Sequence, residues 1–386
     1  MGKRANNEGS IYQMPNGKWR ASISLGYQNG KLKRKYFFGQ TRAIVHKKLT
    51  DAVHAHERNL PVAPEQMTVQ QLLERWLQHC VKVNCTYNTH ASYTRLTKKH
   101  IIPSIGRIRI EKLSPLDLQG FMNRATDAGN LGARSVNYLH AIVRAALEQA
   151  LKWGLVIRNV AKLVSPPSPR RKPVNPFTQE EAIRFLQAVQ GDRLAPLFLL
   201  AVFTGLRQGE LLGLTWDDFK GGFLSVNRSL QRIDGALRLV DTKTASSLRT
   251  LPLPQLAIDA LEAHHAAQDR EKLWVGSKWR HSQLIFTTKI GTPLDGTNVT
   301  KQFRALLEVA GLRRCRFHDL RHTCATLMLS TGVHARTVME QLGHSQISLT
   351  MNTYGHVVPS MSQDAANRMN AIFSAPETPI KKPLVS

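Results

Sequence analysis

Trp19, Ala21, Ile23 and Leu25 alternate with Lys18, Arg20, Ser22 and Ser24. That period of two is the pattern of a strand with one buried face. Gly9 to Gln13 reads as a shorter strand ahead of it, joined through the turn signal Pro15-Asn16-Gly17. Asn29-Gly30 signals a second hairpin turn, and Lys31 to Gln40 returns as a third strand. Thr41 then caps a helix reaching about Arg58, with Val45, Leu49 and Val53 on one side. Three strands and one helix bury little. Residues 1–60 are therefore expected to form a small α+β domain with a polar, basic sheet face.

Past the linker-like run Leu60-Pro61-Val62-Ala63-Pro64 the spacing becomes helical. Thr68 caps a helix carrying Val69, Leu72, Leu73, Trp76 and Leu77; a second spans about Asn88 to Ile101 and is expected to stop at Pro103. Ser114-Pro115 opens a third, with proline at the favoured first position, and the longest runs from about Ala133 to Trp153, ending at Gly154. Residues 66–165 thus read as an all-α domain. The stretch Ser165 to Pro176 holds five prolines together with Arg170, Arg171 and Lys172, which predicts an extended boundary. From Thr178 the pattern is helical, then stranded at Phe223–Val226, Leu237–Val240 and Thr250–Leu253, then helical again to about Phe373. That makes residues 175–373 a mainly α domain with a small β-sheet, followed by a tail at 374–386. No internal repeat of 20–50 residues is visible.

Charge changes the picture more than composition does. At 386 residues, 42% hydrophobic and 21% charged, the chain has the make-up of a multidomain globular protein. Its 53 Lys and Arg against 27 Asp and Glu leave a net +26. Such an excess repels itself unless a polyanion relieves it. Residues 1–60 hold 12 basic and 3 acidic side chains, residues 61–170 hold 15 and 6, and the remainder 26 and 18. A basic run alone is commonly a solvated face, but three consecutive basic segments favour a track for nucleic acid along the chain.

Other classes recede. The start Met-Gly-Lys-Arg-Ala-Asn-Asn leads into polar residues, so no secretory signal is expected. The longest apolar stretch, Leu194 to Phe203, contains Pro196 and is about half the ~20 residues of a membrane span. Cys80, Cys85, Cys315 and Cys324 form no CxxC, which points to neither a zinc site nor a disulfide scaffold.

The third segment carries the chemistry. Thr204-Gly205-Leu206-Arg207-Gln208-Gly209-Glu210 comes first, then Lys243 within Asp-Thr-Lys-Thr-Ala-Ser. His318-Asp319-Leu320-Arg321-His322, Leu342-Gly343-His344 and Tyr354 follow. Arginine suits a phosphodiester under attack because its planar fork holds two nonbridging oxygens at once. One arginine in so basic a chain reads better as a plain phosphate or surface contact, and one of 15 histidines as an ordinary cap or core group. The order and spacing set these apart. His318 and Arg321, three apart, share a helix face, and Glu210 stands three residues after Arg207. Lys243 lies between expected strands, in a hairpin; Lys220 and Arg249 are rival basic residues nearby and the weaker choices.

In these motifs the chain resembles the tyrosine recombinase (phage integrase) family, specifically integrases whose N-terminal three-strand domain binds arm-type DNA sites. The resemblance implies a tyrosine recombinase fold, with 1–60 binding arm sites, 66–165 a SAM-like core-binding domain and 175–373 catalytic. It implies Arg207 and Arg321 as the phosphate clamp, Lys243 as general acid for the leaving 5′ oxygen, and Tyr354 as the nucleophile. His318 and His344 hydrogen-bond the phosphate, His318 also assisting proton removal, and Glu210 orients the cations. Because a 3′-phosphotyrosine link conserves the bond energy, no nucleotide, metal or other cofactor is expected.

The expected partners are double-stranded DNA attachment sites of core and arm type, contacted in the N-terminal domain by Arg20, Lys33 and Lys35. A homotetramer on DNA is also expected, as are a host DNA-bending protein and an excision factor, in the bacterial cytoplasm and away from membranes. The implied role is integration and excision of a phage or other integrative element. A chromosome-dimer resolvase, topoisomerase or transposon recombinase of the same chemistry stands as the alternative, though the extra N-terminal sheet argues against the first two. A non-catalytic DNA-binding regulator would be expected to have lost part of the set.

Overall fold

The computed structural model describes residues 9–28, 31–57, 67–127, 131–168, 174–241, 248–280, 282–343, 367 and 369–370. The chain divides into two compact units, Met1–Arg171 and Lys172–Ser386.

In the first unit, β1 (Ser10–Gln13), β2 (Trp19–Gln28) and β3 (Lys31–Gly39) form an antiparallel sheet in that order. Helix α1 (Arg42–Glu57) follows, with the Ile44 N–H directed at Thr41 Oγ1. Ala21, Ile23, Val45, Leu49 and Ala52 are its buried core. These are the inward strand positions and one helical stripe, as the alternation requires. The expected turn at Asn29-Gly30 lies outside the described residues.

Helices α2 (Val69–Trp76), α3 (Lys82–Asn84), α4 (Tyr87–Leu96), α5 (Ile102–Ile105), α6 (Pro115–Asp127) and α7 (Ala133–Lys152) make up the rest of this unit. Thr68 and Gln71 form a reciprocal capping box at α2, and Ser114 with Asp117 does the same at α6. Leu72, Leu73, Ile101, Leu118, Leu139 and Ile142 lie in one buried core.

Pro103 does not stop the second helix. After α4 a π turn over Thr97–Ile101 leads into α5, and the Ile102 N–H reaches back to Thr97 O. Pro103 then falls in the first turn of the resumed helix, where a missing N–H costs least and the widened turn makes room for the ring.

The second unit begins with α8 (Gln179–Ala188), capped by Thr178 and Glu181, then α9 (Ala195–Thr204) and α10 (Gln208–Leu212). Five strands follow: β4 (Phe219–Lys220), β5 (Phe223–Val226), β6 (Arg228–Ile233), β7 (Ala236–Asp241) and β8 (Arg249–Pro252). Helices α11 (Gln255–Val275), α12 (Gly296–Val309), α13 (Asp319–Ser330) and α14 (Ala335–Leu342) come after them. Its core is aromatic at the centre, where Phe185 meets Phe198 and Phe303 edge to face. Each such ring contributes about 2–3 kcal/mol by burial.

Two expectations about the strands are corrected. Strand β6 was not foreseen, because Leu230 is its only buried apolar residue in a polar sequence. Nor do the strands flanking residues 242–247 form a hairpin. β7 pairs with β6, whereas β8 pairs with β5 in a different sheet. The β6–β7 turn is Asp234-Gly235, both at positive φ (49° and 78°), a combination that a two-residue hairpin favours. Helical structure is also interrupted after α11, where residues 282–295 form no helix.

Candidate active site

The segment carrying Arg207 is shaped by the end of α9. Gly205 takes the left-handed conformation (φ 62°), and a Cβ there would lie 2.5 Å from Leu342 Cδ2. Arg207 then caps α10. The Glu210 carboxylate accepts the Arg207 backbone N–H at 3.0 Å and its guanidinium at 2.7 Å. The i, i+3 spacing that marks this motif in the sequence is thus a helix start closed by its own carboxylate.

Arg321, on α13, is 3% exposed. Its guanidinium donates to Gly205 O at 2.8 Å and to Leu342 O at 2.7 Å, tying α13 to the end of α9 and the last turn of α14. Helix C-terminal carbonyls carry partial negative charge, so a cation is the fitting partner. Gly343, at φ 65°, then ends α14.

Arg249, the first residue of β8, is a site residue that the sequence reading passed over. Its side chain is 7% exposed. It donates to Glu210 Oε2 at 3.0 Å and to Gln341 O at 2.7 Å. Gln341 in turn donates to Phe203 O at 3.0 Å. The signal was present: period two along β8 puts Arg249 on the face of the buried Leu251, and an inward cation needs an acceptor. The other rival, Lys220, is exposed on β4.

Glu210 links the two arginines. Burial pushes its carboxyl up, but Arg249, the Arg207 backbone N–H and the Arg207 charge outweigh this and hold it below the usual carboxylate range. His318 precedes α13 and meets His322 edge to face with ring centroids 5.2 Å apart. Desolvation by the surrounding protein, then the charges of Arg321, Arg207 and Arg316, lower His318 below the usual imidazole value. For His322, desolvation and the neighbouring His318 bring it down to about 4. Both imidazoles are therefore neutral at pH 7, so each ring presents one N–H donor and one acceptor nitrogen. Lys243, His344 and Tyr354 lie outside the described residues.

On the N-terminal sheet the three candidate DNA contacts separate. Arg20 pairs with Phe38 and lies 3.9 Å from the centroid of the Tyr36 ring, on the sheet face where Tyr12, Tyr36 and Phe38 are exposed. Lys35 pairs instead with buried Ile23, on the face that packs on α1; strand alternation gives Lys33 the same side. Arg34, opposite Ser24, shares the outer face with Arg20 and was not singled out from sequence.

Comparison with known proteins adds an independent line. Residues 176–361 match the phage integrase family, and residues 68–125 match the N-terminal SAM-like domain of phage integrases. A XerC-like tyrosine recombinase of Caldanaerobacter subterraneus subsp. tengcongensis is 32% identical over 382 residues, covering 93% of this chain and 97% of that protein. An integrase of Streptomyces ambofaciens is also 32% identical, over 92% of this chain and 94% of its own. Among solved structures, the Tn1549 transposon integrase in complex with transposon right end DNA superposes with a TM-score of 0.68 at 21% identity. The match covers 79% of this chain and 100% of that one. A lambda integrase dimer bound to a core site gives 0.57 at 18% identity, over 92% and 96% of the two chains. At those identities the structural likeness speaks for the fold.

Proposed function

The chain belongs to the tyrosine recombinase (phage integrase) family, enzymes that cut and rejoin DNA, and from that premise we propose how its residues do so for a mobile element. The observation that carries the reading is a convergence of three segments distant in sequence: Arg207 and Glu210 at the start of α10, Arg249 on β8 and Arg321 on α13. Their hydrogen bonds join the end of α9, the start of α10 and the last turn of α14.

In this reading Arg207 and Arg321 hold the nonbridging oxygens of the scissile phosphate, and Glu210 fixes the Arg207 fork in place. Tyr354 Oη attacks phosphorus, His318 takes its proton, and Lys243 protonates the departing 5′ oxygen. The products are a 3′-phosphotyrosine and a free 5′-hydroxyl. His344 donates a hydrogen bond to the same phosphate. Attack by the 5′-hydroxyl of a second strand reverses these steps and releases the tyrosine, so bond energy is conserved and no cofactor takes part. The neutral state of His318 supports its role as proton acceptor. Fixed cations act most strongly where charge develops, which is what a pre-bonded cluster supplies.

The separate cores support a three-part division: residues 1–60 for arm sites, 66–165 for core sites and 175–373 for catalysis, with the tail from 374. Arg20 on the outer sheet face is the best placed of the N-terminal contacts. Four strands must be exchanged with one Tyr354 per chain, so the active form is a tetramer on two DNA sites, the chains remaining monomers when free because each carries +26. The chain following Tyr354 joins neighbouring subunits. A host DNA-bending protein and an excision factor complete the partners, and the setting is the bacterial cytoplasm, at the nucleoid. Among the described residues no helix is long and apolar enough to cross a membrane.

The test is a duplex spanning an element end and nicked beside the scissile phosphate, so that the short fragment escapes. An SDS-stable adduct joined through a 3′ phosphate, formed equally in EDTA, is expected. A 5′ linkage or a strict Mg²⁺ requirement would contradict the reading.

A further inference from the structure

Glu210 has two arginine partners, Arg207 from its own motif and Arg249 from β8. The second, Arg249, is as deeply buried as the carboxylate: their side chains are 7% and 5% exposed. Desolvating an ion pair to that degree costs several kcal/mol, so a buried pair is poor evidence for stability and calls for another explanation. Its geometry supplies one. Glu210 Oε2 accepts both Arg249 and the Arg207 backbone N–H, while Oε1 accepts the Arg207 guanidinium. The Arg249 Nε–H goes in a different direction, to Gln341 O in the last turn of α14. The next carbonyl, Leu342 O, is the acceptor for Arg321. The same turn is pinned a third time by Gln341 Nε2 on Phe203 O, at the end of α9.

We propose that Arg249 is a positioning residue for DNA cleavage: it orients Arg207 through Glu210 and fixes the C-terminal turn of α14 beside Arg321. The inference rests on the assignment of Arg207 and Arg321 to the scissile phosphate. A guanidinium is needed because it has donors in several fixed directions in one plane, and here they join β8 to α10 and α14. Lysine supplies the charge as a point and reaches such divergent acceptors poorly. Arg249 itself touches no reacting atom in this scheme. Its absence is felt as misplacement, and misplacement of catalytic groups by about 1 Å costs on the order of 100-fold in rate.

Two variants and two readouts test it. Arg249→Met fills similar volume without donors, and Arg249→Lys keeps the charge. With saturating nicked duplex, single-turnover adduct formation is expected to fall about 100-fold in Arg249→Met, with DNA affinity unchanged. Arg249→Lys is expected to fall between that variant and the native chain. Hydrogen exchange on the free protein provides a readout that needs no activity. The amides of Glu340–Gly343 should exchange about tenfold faster in Arg249→Met, while those of α9 and α11 do not change. Native cleavage rates and unchanged exchange in Arg249→Met would overturn the proposal. So would a uniform rise in exchange across α9, α11 and α14 in both variants, which marks general support of the fold. A native chain that forms no adduct fails the assignment of the cleavage reaction, and the exchange result then decides the role of Arg249 alone.

Discussion

Arg20 and Arg321 show two ways in which a cation is used in one chain. Arg20 lies on the outer face of the N-terminal sheet. Tyr36 is 3.9 Å from its guanidinium, with Tyr12 and Phe38 each at 5.7 Å. Ring faces hold it by their quadrupoles, and its buried Nε has no hydrogen-bond partner among the described residues. Arg321 is enclosed and bonded to two main-chain carbonyls on different elements. Stacking leaves a guanidinium able to serve an incoming acceptor, while carbonyl bonds fix where a guanidinium stands. The first arrangement suits affinity and the second suits rate.

The largest effect should come from the enclosed arginine. On the proposed assignment Arg321→Ala removes a cation from the scissile phosphate, and it takes away the donors that Gly205 O and Leu342 O accept from. Single-turnover cleavage is expected to fall by at least about 1,000-fold, with melting temperature reduced as well. An Arg321→Ala protein that cleaves at a tenth of the native rate would place the phosphate elsewhere.

Next comes Glu210. Glu210→Gln leaves buried Arg249 without its counter-charge and should cost about 3–5 kcal/mol in urea unfolding. The pH dependence follows from the same groups. The folded Glu210 carboxyl sits below its usual range, so its contribution is present above the unfolded value and lost as pH falls through the folded one. His322 acts higher on the scale. Between its ordinary value of 6.5 and about 4, the unfolded chain takes up a proton that the folded chain refuses. Stability therefore drops as pH falls across that window, and His322→Gln should flatten the slope. An unaltered slope would show that His322 titrates normally in the fold.

The smallest effect on rate should come from the stacked arginine. Arg20→Ala is expected to weaken binding to an element-end duplex and reduce its salt slope by about 1 if the contact is to phosphate. Cleavage of a saturating core duplex should stay at the native rate. A slowed cleavage step would erase the distinction between the two arginines.

Much of this contrast was legible in the sequence. Arg207, Glu210 and Arg321 stand in motifs whose spacing, three residues in the first case, becomes a helix start closed by a carboxylate. The N-terminal sheet followed from the alternation around Ala21 and Ile23. What was not legible depends on contacts between distant segments. Arg249 meets Gln341, 92 residues away, and no local pattern announces that pairing. Only its inward parity on β8 carried a hint. Strand β6 was obscured by its polar residues although Asp234-Gly235 gave the turn, and Pro103 misled because a π turn absorbs what an α-helix would not tolerate. Lys33 and Lys35 were chosen for charge alone, which does not tell one sheet face from the other.

The central claim is that this cationic cluster serves a tyrosine nucleophile, and the most direct measurement is the site of attachment. The adduct trapped on a nicked duplex is digested with protease and nuclease, and the modified peptide is sequenced by mass spectrometry. A nucleotide joined through its 3′ phosphate to Tyr354, with no adduct from Tyr354→Phe at native DNA affinity, is the predicted result. Attachment to any other of the seven tyrosines, or an undiminished adduct in Tyr354→Phe, would contradict it.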